Sequence, residues 1–106
     1  MEIIFHDHHA TVPERTRERA AAGARKLGAR LGFAVDAVIR FEDDGPMRRA
    51  EIILHAAQRK ELVAKSAARS YDTALSAALE KLEHQIDTER RIDRSKAQLS
   101  RRAARA

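Results

Sequence analysis

The lysine and arginine residues of this chain are spaced in a way that could bind phosphate. On a helical projection, four of them fall within an arc of about 60°, beside the apolar stripe of a predicted helix. They are Arg15, Arg19, Lys26 and Arg30. Because this arc contains no acidic residue, it favours contact with a rod-like polyanion such as RNA. The alternative is an ordinary solvated helix surface with ion pairs inside the helix.

A second predicted helix carries charges of both signs on separate flanks. One flank holds Lys81, His84 and Arg91, whereas the other holds an acidic stripe consisting of Asp72, Glu80, Glu83 and Asp87. The acidic stripe would repel a phosphate backbone, so only the Lys81 flank can face RNA. Arg90 and Arg94 lie beside Asp87 at helical spacing, so an ion pair with Asp87 is an alternative role for them.

The net charge of +5 comes from the C-terminal segment. Residues 1–89 hold 14 Lys+Arg against 15 Asp+Glu, whereas residues 90–106 hold seven Lys+Arg against Asp93 alone. We therefore predict an α+β domain over residues 1–92, followed by a basic tail over residues 93–106. Clustered cations release condensed counterions from nucleic acid, which favours a polyanionic partner; a solvated tail is the alternative.

Composition excludes several other classes of function. The chain has 106 residues, no cysteine and only four aromatic residues, which indicates one domain with a thin core and no disulfide or thiolate metal site. A thin core argues against a deep ligand cavity, so we predict no cofactor and no small-molecule substrate. No long apolar run is present, so we expect neither a signal peptide nor a membrane span and predict a cytoplasmic location.

One histidine cluster resembles a metal site. His6 and His8 would share one side of an extended strand, with His9 and Asp7 next to them. A structural or catalytic metal needs further ligands, and the only other histidines are His55 and His84. We therefore favour a polar loop that leaves the first strand, predict no metal site and predict no enzymatic activity.

Hydrophobic periodicity predicts the order β-α-β-β-β-α. The first helix begins near residues 11–14 and ends at Gly32, and the second runs from about Ser70, its predicted N-cap, to at least Glu89. The predicted strands cover residues 2–6, 35–42, 49–57 and 60–67. The short connections between the last three strands indicate antiparallel hairpins. One apolar sheet face covered by two helices satisfies this pattern, which gives an α+β fold with a four-stranded sheet.

The second helix also carries a family resemblance. Glu80, Lys81, Leu82, Glu83, His84, Gln85 and Ile86 are similar to the motif Asp-Lys-Leu-Glu-Arg-Gln-Leu of the ribosome hibernation factors, also called sigma-54 modulation proteins. Lys26-Leu27 matches a Lys-Leu pair near the end of the family's first helix. The chain departs from the family at Tyr71, one position early, and at His84, where the family has a basic residue.

The resemblance implies a short hibernation factor that occupies the messenger and transfer RNA channel of the small ribosomal subunit during stress or stationary phase. It implies that Lys81 faces ribosomal RNA. Together with the charge pattern, it gives these RNA-binding candidates: Arg15, Arg19, Lys26, Arg30, Lys81, His84, Arg90 and Arg91. A double-stranded RNA-binding domain is the first alternative, although its basic cluster would here reduce to Arg69. A metal-dependent enzyme that uses His6, His8 and His9 is the second.

Overall fold

Four strands and two helices follow one another in the predicted order. The computed structural model describes the backbone of residues 1–105, and the side chains of this range apart from 59, 97 and 100–105. The elements are β1 (Glu2–His8), α1 (Glu14–Leu31), β2 (Ala34–Asp44), β3 (Met47–Ala56), β4 (Glu61–Ala68) and α2 (Tyr71–Arg105), with one 3₁₀ turn at Ala57–Arg59. The predicted α+β fold is confirmed.

The sheet has the strand order β1-β2-β3-β4. Both predicted hairpins are present, because β2 pairs with β3 and β3 with β4 in antiparallel fashion. The first hairpin turns at Gly45, whose φ of 64° lies in the left-handed region that glycine adopts without a steric penalty. β1 pairs with β2 in parallel, since α1 carries the chain back across the sheet between them.

Both helices pack on the same face of the sheet, and the core lies between the two layers. The sheet contributes Ile39, Phe41, Ile52 and Leu54, all fully buried. α1 covers them with Ala20, Ala24, Leu27 and Leu31, and α2 covers them with Leu75, Leu82 and Ile86. Alanine supplies much of the remaining core, so the two layers approach closely and enclose a thin interior.

The C-terminus of α1 and the N-terminus of α2 follow the predicted signals, whereas Pro13, the N-cap of α1, makes no side-chain capping bond. Gly32 ends α1 with a φ of 91°, and its N–H donates to the carbonyl of Gly28 over 3.1 Å. Ser70 is the N-cap of α2, because its Oγ accepts the N–H of Thr73 over 3.2 Å. α2 continues as one helix to Arg105, beyond the predicted boundary at residue 92. The side chains of residues 90–96 are exposed, so this part of α2 projects from the domain.

Leu79 of α2 packs against a glycine of α1. A Cβ atom built on Gly23 of α1 would lie 2.9 Å from Cδ2 of Leu79 in α2, closer than real Cβ atoms approach other atoms. The absence of a side chain at Gly23 therefore leaves room for the end of the Leu79 side chain between the helices. This packing offsets the cost of about 1 kcal/mol that glycine imposes within a helix.

Tyr71 fixes the start of α2 on the sheet. Its ring is buried edge-to-face against Phe41, with 5.6 Å between the ring centroids. The guanidinium of Arg48 lies 5.8 Å from the centroid of the Tyr71 ring. Desolvation by burial, followed by the nearby charge of Asp43, raises the pKa of the Tyr71 hydroxyl above its ordinary value of 10.0, while Arg48 opposes the rise.

This raised pKa predicts a loss of stability in alkali. The folded protein keeps the proton of the Tyr71 hydroxyl to a higher pH than the unfolded chain does. The stability that the neutral phenol contributes is therefore complete below pH 10.0 and is lost as the pH rises further, because the unfolded chain ionises first. Tyr71→Phe should remove this part of the alkaline decline in melting temperature. Tyr71 is the only tyrosine, so absorbance of the phenolate reports its titration directly. A normal titration in the folded protein would contradict the assignment.

Candidate RNA-binding surface

The cationic stripe of α1 lies beside α2, and two of its four members are bound by α2. Arg19 donates to a carboxylate oxygen of Asp72 over 2.7 Å and also contacts the hydroxyl of Ser76. Arg30 donates to Glu83 over 3.2 Å and to Asp87 over 2.5 Å. The acidic stripe of α2, predicted to repel RNA, therefore pairs with arginines of the neighbouring helix.

The other two members of the α1 stripe differ in their surroundings. Arg15 and Lys26 are exposed, and within the described residues neither forms a salt bridge. Four positive charges are therefore aligned on α1 as predicted, but acids of α2 offset those of Arg19 and Arg30. The opposite stripes on the two helices were visible in the sequence. Their pairing depended on α1 and α2 lying side by side, which the helical projections did not address.

The Lys81 flank of α2 lies along β4, which forms one edge of the sheet. The Nζ of Lys81 donates to the carbonyl of Lys65 over 2.9 Å, and the Nε2 of Gln85 donates to the carbonyl of Val63 over 2.7 Å. These bonds satisfy two backbone acceptors that the edge strand would otherwise leave to solvent. Both donors belong to the motif that carried the family resemblance, which gives Lys81 and Gln85 a structural role in this chain.

The same flank also carries exposed basic residues. His84 and Arg91 are exposed along α2, and Lys65 of β4 is exposed beside the Lys81 contact. Lys65 was not among the predicted site residues, although strand alternation with Leu62 and Ala64 places it on the opposite face from the core. We call Lys81, His84 and Arg91 the α2 flank; the side chain of Lys65 lies on the opposite face of the sheet. No acidic residue of α2 lies on this side of the helix between Lys81 and Arg91, as the projection predicted.

Beyond residue 89, α2 is basic on most sides. Arg90, Arg91, Arg94 and Lys96 are all exposed. Asp87, which the sequence offered as a partner for Arg90 and Arg94, is instead bound by Arg30, so the described structure leaves these two arginines exposed to solvent. Lys60, just before β4, forms an ion pair with Glu89 of α2. The hydrogen bond to the Glu89 carboxylate raises the pKa of the Lys60 amine. The side chains of Arg101, Arg102 and Arg105 lie outside the described residues.

The predicted polar loop is wrong for most of the histidine cluster, because β1 extends through His8. His6 and His8 lie in β1, whereas His9 follows it with a φ of 50°. Among the residues that the structure describes, no three histidine, aspartate or glutamate side chains are grouped as metal ligands. Asp7 faces α1 and forms an ion pair with Arg17. In the same described residues, no helix is long and apolar enough to cross a membrane.

These features define a class of small α+β proteins. Their first strand is parallel to the second, both helices lie on one face of the sheet, and the end of the second helix is basic. The model of the family described as Sigma 54 modulation protein / S30EA ribosomal protein matches residues 3–100, and the chain belongs to this family. The resemblance found in the second helix is confirmed. The double-stranded RNA-binding domain is not favoured by these findings. No curated protein sequence matches the chain.

Solved structures show the same fold at low sequence identity. A ribosomal subunit interface protein from Coxiella burnetii superposes with a TM-score of 0.77 at 12% identity, over 85% of this chain and 98% of that one. The N-terminal domain of Protein Y from Thermus thermophilus superposes with a TM-score of 0.66 at 16% identity, over 80% of this chain and 91% of that domain. At these identities the likeness establishes the fold.

The pairing between the helices predicts two classes of basic residue in the α1 stripe. Replacement of Arg19 and Arg30 by alanine should lower the free energy of unfolding by about 1 kcal/mol, because exposed ion pairs contribute about 0.2–1 kcal/mol each. The matched control, Arg15→Ala with Lys26→Ala, removes the same charge without a described partner and should change stability by less than about 0.5 kcal/mol. Urea unfolding at low and high salt measures both. Equal losses of stability in the two variants would disprove the distinction.

Proposed function

We propose that this protein binds the small ribosomal subunit through ribosomal RNA and inhibits translation by occupying the messenger and transfer RNA channel under stress or in stationary phase. The family match over residues 3–100 carries the proposal. The names of the structural neighbours, a ribosomal subunit interface protein and Protein Y, agree with it. Ribosomes occupy the cytoplasm, so the proposed location is cytoplasmic. In this mechanism the protein acts by occupancy, without chemical turnover.

The main contact with RNA in this proposal is the α2 flank together with the basic end of α2. This surface carries several exposed cations, and beyond residue 89 Asp93 is its one acidic residue, so its positive charge exceeds its negative charge and favours contact with phosphate. α2 has 35 residues, about 52 Å at 1.5 Å per residue. A helix of this length can follow RNA over several phosphates on one continuous surface.

The α1 stripe contributes less charge than its sequence indicated. Arg15 and Lys26 are available to phosphate, whereas Arg19 and Arg30 must first exchange the carboxylates of α2 for phosphate oxygens. Reversal of charge at Arg30 would place like charges beside Glu83 and Asp87 and lower stability, so Arg30 is unsuitable for a binding test. Exposed residues near the end of α2, such as Arg91 and Arg94, are better suited to a binding test.

Cosedimentation with ribosomes tests the proposal. The purified protein should migrate with small subunits and whole ribosomes at low salt and be released as salt rises, because phosphate contacts weaken steeply with ionic strength. Arg91→Glu with Arg94→Glu should weaken binding at least about tenfold. The control, Arg25→Glu with Arg69→Glu, makes the same change in total charge at exposed residues away from this surface and should bind much more tightly than the test variant. Protein that stays at the top of the gradient at low salt would refute the function.

Removal of the end of α2 separates binding from folding. Truncation after Ile92 should leave the melting temperature almost unchanged, because the described side chains beyond it are exposed and contact no core. The truncation removes five basic residues, namely Arg94, Lys96, Arg101, Arg102 and Arg105. The slope of log affinity against log salt should fall by roughly one for each phosphate that these residues neutralise in the full-length protein. A truncated protein with the full-length slope would show that this segment does not bind RNA.

A further inference from the structure

The face of the sheet opposite the helices is uncovered in the described part of the chain, and we call it the open face. Alternate residues of each strand project onto it, because their neighbours Ile3, Phe5, Ile39 and Ile52 pack towards the core. The strand registers align these residues into rows that cross all four strands. One such row is entirely aliphatic, and it consists of Ile4, Val38, Ile53 and Val63.

Charged rows lie on either side of the aliphatic row. The row on one side is acidic apart from one histidine, and it consists of Glu2, Asp36, His55 and Glu61. The row on the other side carries most of the positive charge, and it consists of His6, Arg40, Glu51 and Lys65. The next row contains His8, Glu42, Arg49 and Ala67. Five carboxylates against three Lys+Arg make the open face acidic on balance, which disfavours RNA as its partner.

These rows are complementary to themselves. Rotation of a second copy by 180° about an axis along the aliphatic row places each residue of the acidic row over the residue of the opposite row in the same strand. Asp36 then faces Arg40 of the second copy, and Glu61 faces Lys65. Likewise Glu2 faces His6, and His55 faces Glu51. The aliphatic row meets its own copy on the axis, where it is removed from water. All four facing pairs join a carboxylate to a basic group.

We propose that the open face is a self-association surface that binds a second copy of this chain about a two-fold axis. A two-fold contact requires one self-complementary patch, which the three rows provide. Strands about 4.8 Å apart and rows about 6.8 Å apart give a patch of roughly 400 Å² on each copy. The total of roughly 800 Å² lies below the range of stable interfaces, so the dimer is weak and transient.

The present partners of these side chains leave them able to pair with a second copy. The side chain of Arg40 is 58% exposed, and its nearest carboxylate oxygen, in Glu51, lies 3.8 Å away, too far for a hydrogen bond. Asp36 already accepts a bond from the Nδ1 of His55 over 2.5 Å, but it retains a second carboxylate oxygen. Sheets packed face to face cross at about 30°, so the central strands β2 and β3 align best. Asp36 and Arg40 are therefore the pair to test.

Exchange of charges between two variants tests the contact. Asp36→Arg and Arg40→Asp should each weaken the dimer at least about tenfold, because each places like charges opposite one another. An equal mixture of the two should associate again, since the first variant then presents two arginines at these positions to two aspartates of the second. Sedimentation equilibrium at low salt, from about 20 µM to about 1 mM, measures association, with melting curves as the control for folding. Ribosomes are absent, so the result is independent of the proposed function.

Three results would overturn the proposal. The first is a wild-type protein that stays monomeric to about 1 mM, which would leave the open face to a different protein or to solvent. The second is a dimer that both single variants retain, and the third is a mixture that fails to associate although each variant is folded. If a variant does not fold, nuclear magnetic resonance of the wild type decides. Residues whose chemical shifts change with protein concentration should lie on the open face. If these changes were confined to α2, they would rule out the open face as the contact.

Discussion

A four-stranded sheet has two faces, and the described part of this chain supplies only two helices to cover them. Because α1 and α2 both lie on one face, the fully buried apolar side chains of the sheet point to that face, and the core is a single layer between helices and sheet. The aliphatic row of the open face points the other way. The helices must then lie side by side, which brings the charged stripe of each against the other. The interhelical ion pairs, the edge contacts of α2 and the open face all follow from this arrangement.

The structure divides the charge of the protein among three surfaces. Between the helices, arginine and carboxylate neutralise each other at Arg19 and Arg30. On the open face, acids exceed Lys and Arg, and the rows alternate in character. An excess of positive charge is left along the α2 flank and the end of α2, where Asp93 is the one acidic residue beyond residue 89. A net charge of +5 thus underestimates how basic this one surface is. Long-range attraction of RNA depends on that local excess rather than on the total.

The sequence predicted local structure better than side-chain partners, for physical reasons. Gly32 and Ser70 mark helix ends through backbone conformation and one local hydrogen bond, which depend on a few neighbouring residues. Hydrophobic alternation likewise defined the hairpins. The partners of Arg30, 53 and 57 residues away along the chain, depend on the packing of two helices and could not be obtained from either helix alone. The contact of Lys81 with β4 has the same origin, since it requires the strand order of the sheet.

The contacts between the helices also bear on how the protein meets RNA. A phosphate at Arg19 or Arg30 would compete with a carboxylate that is already within hydrogen-bond distance and held by the same fold. The exchange would release carboxylates next to the phosphate, and their repulsion would offset part of the gain. No such exchange is needed at Arg91 or Arg94, whose exposed side chains form no salt bridge with the residues that the structure describes. Contact with phosphate costs more at α1 than at the end of α2, because ion pairs must first be broken there. The projecting end of α2 is therefore the stronger contact, whereas the ion pairs of α1 mainly hold the two helices together.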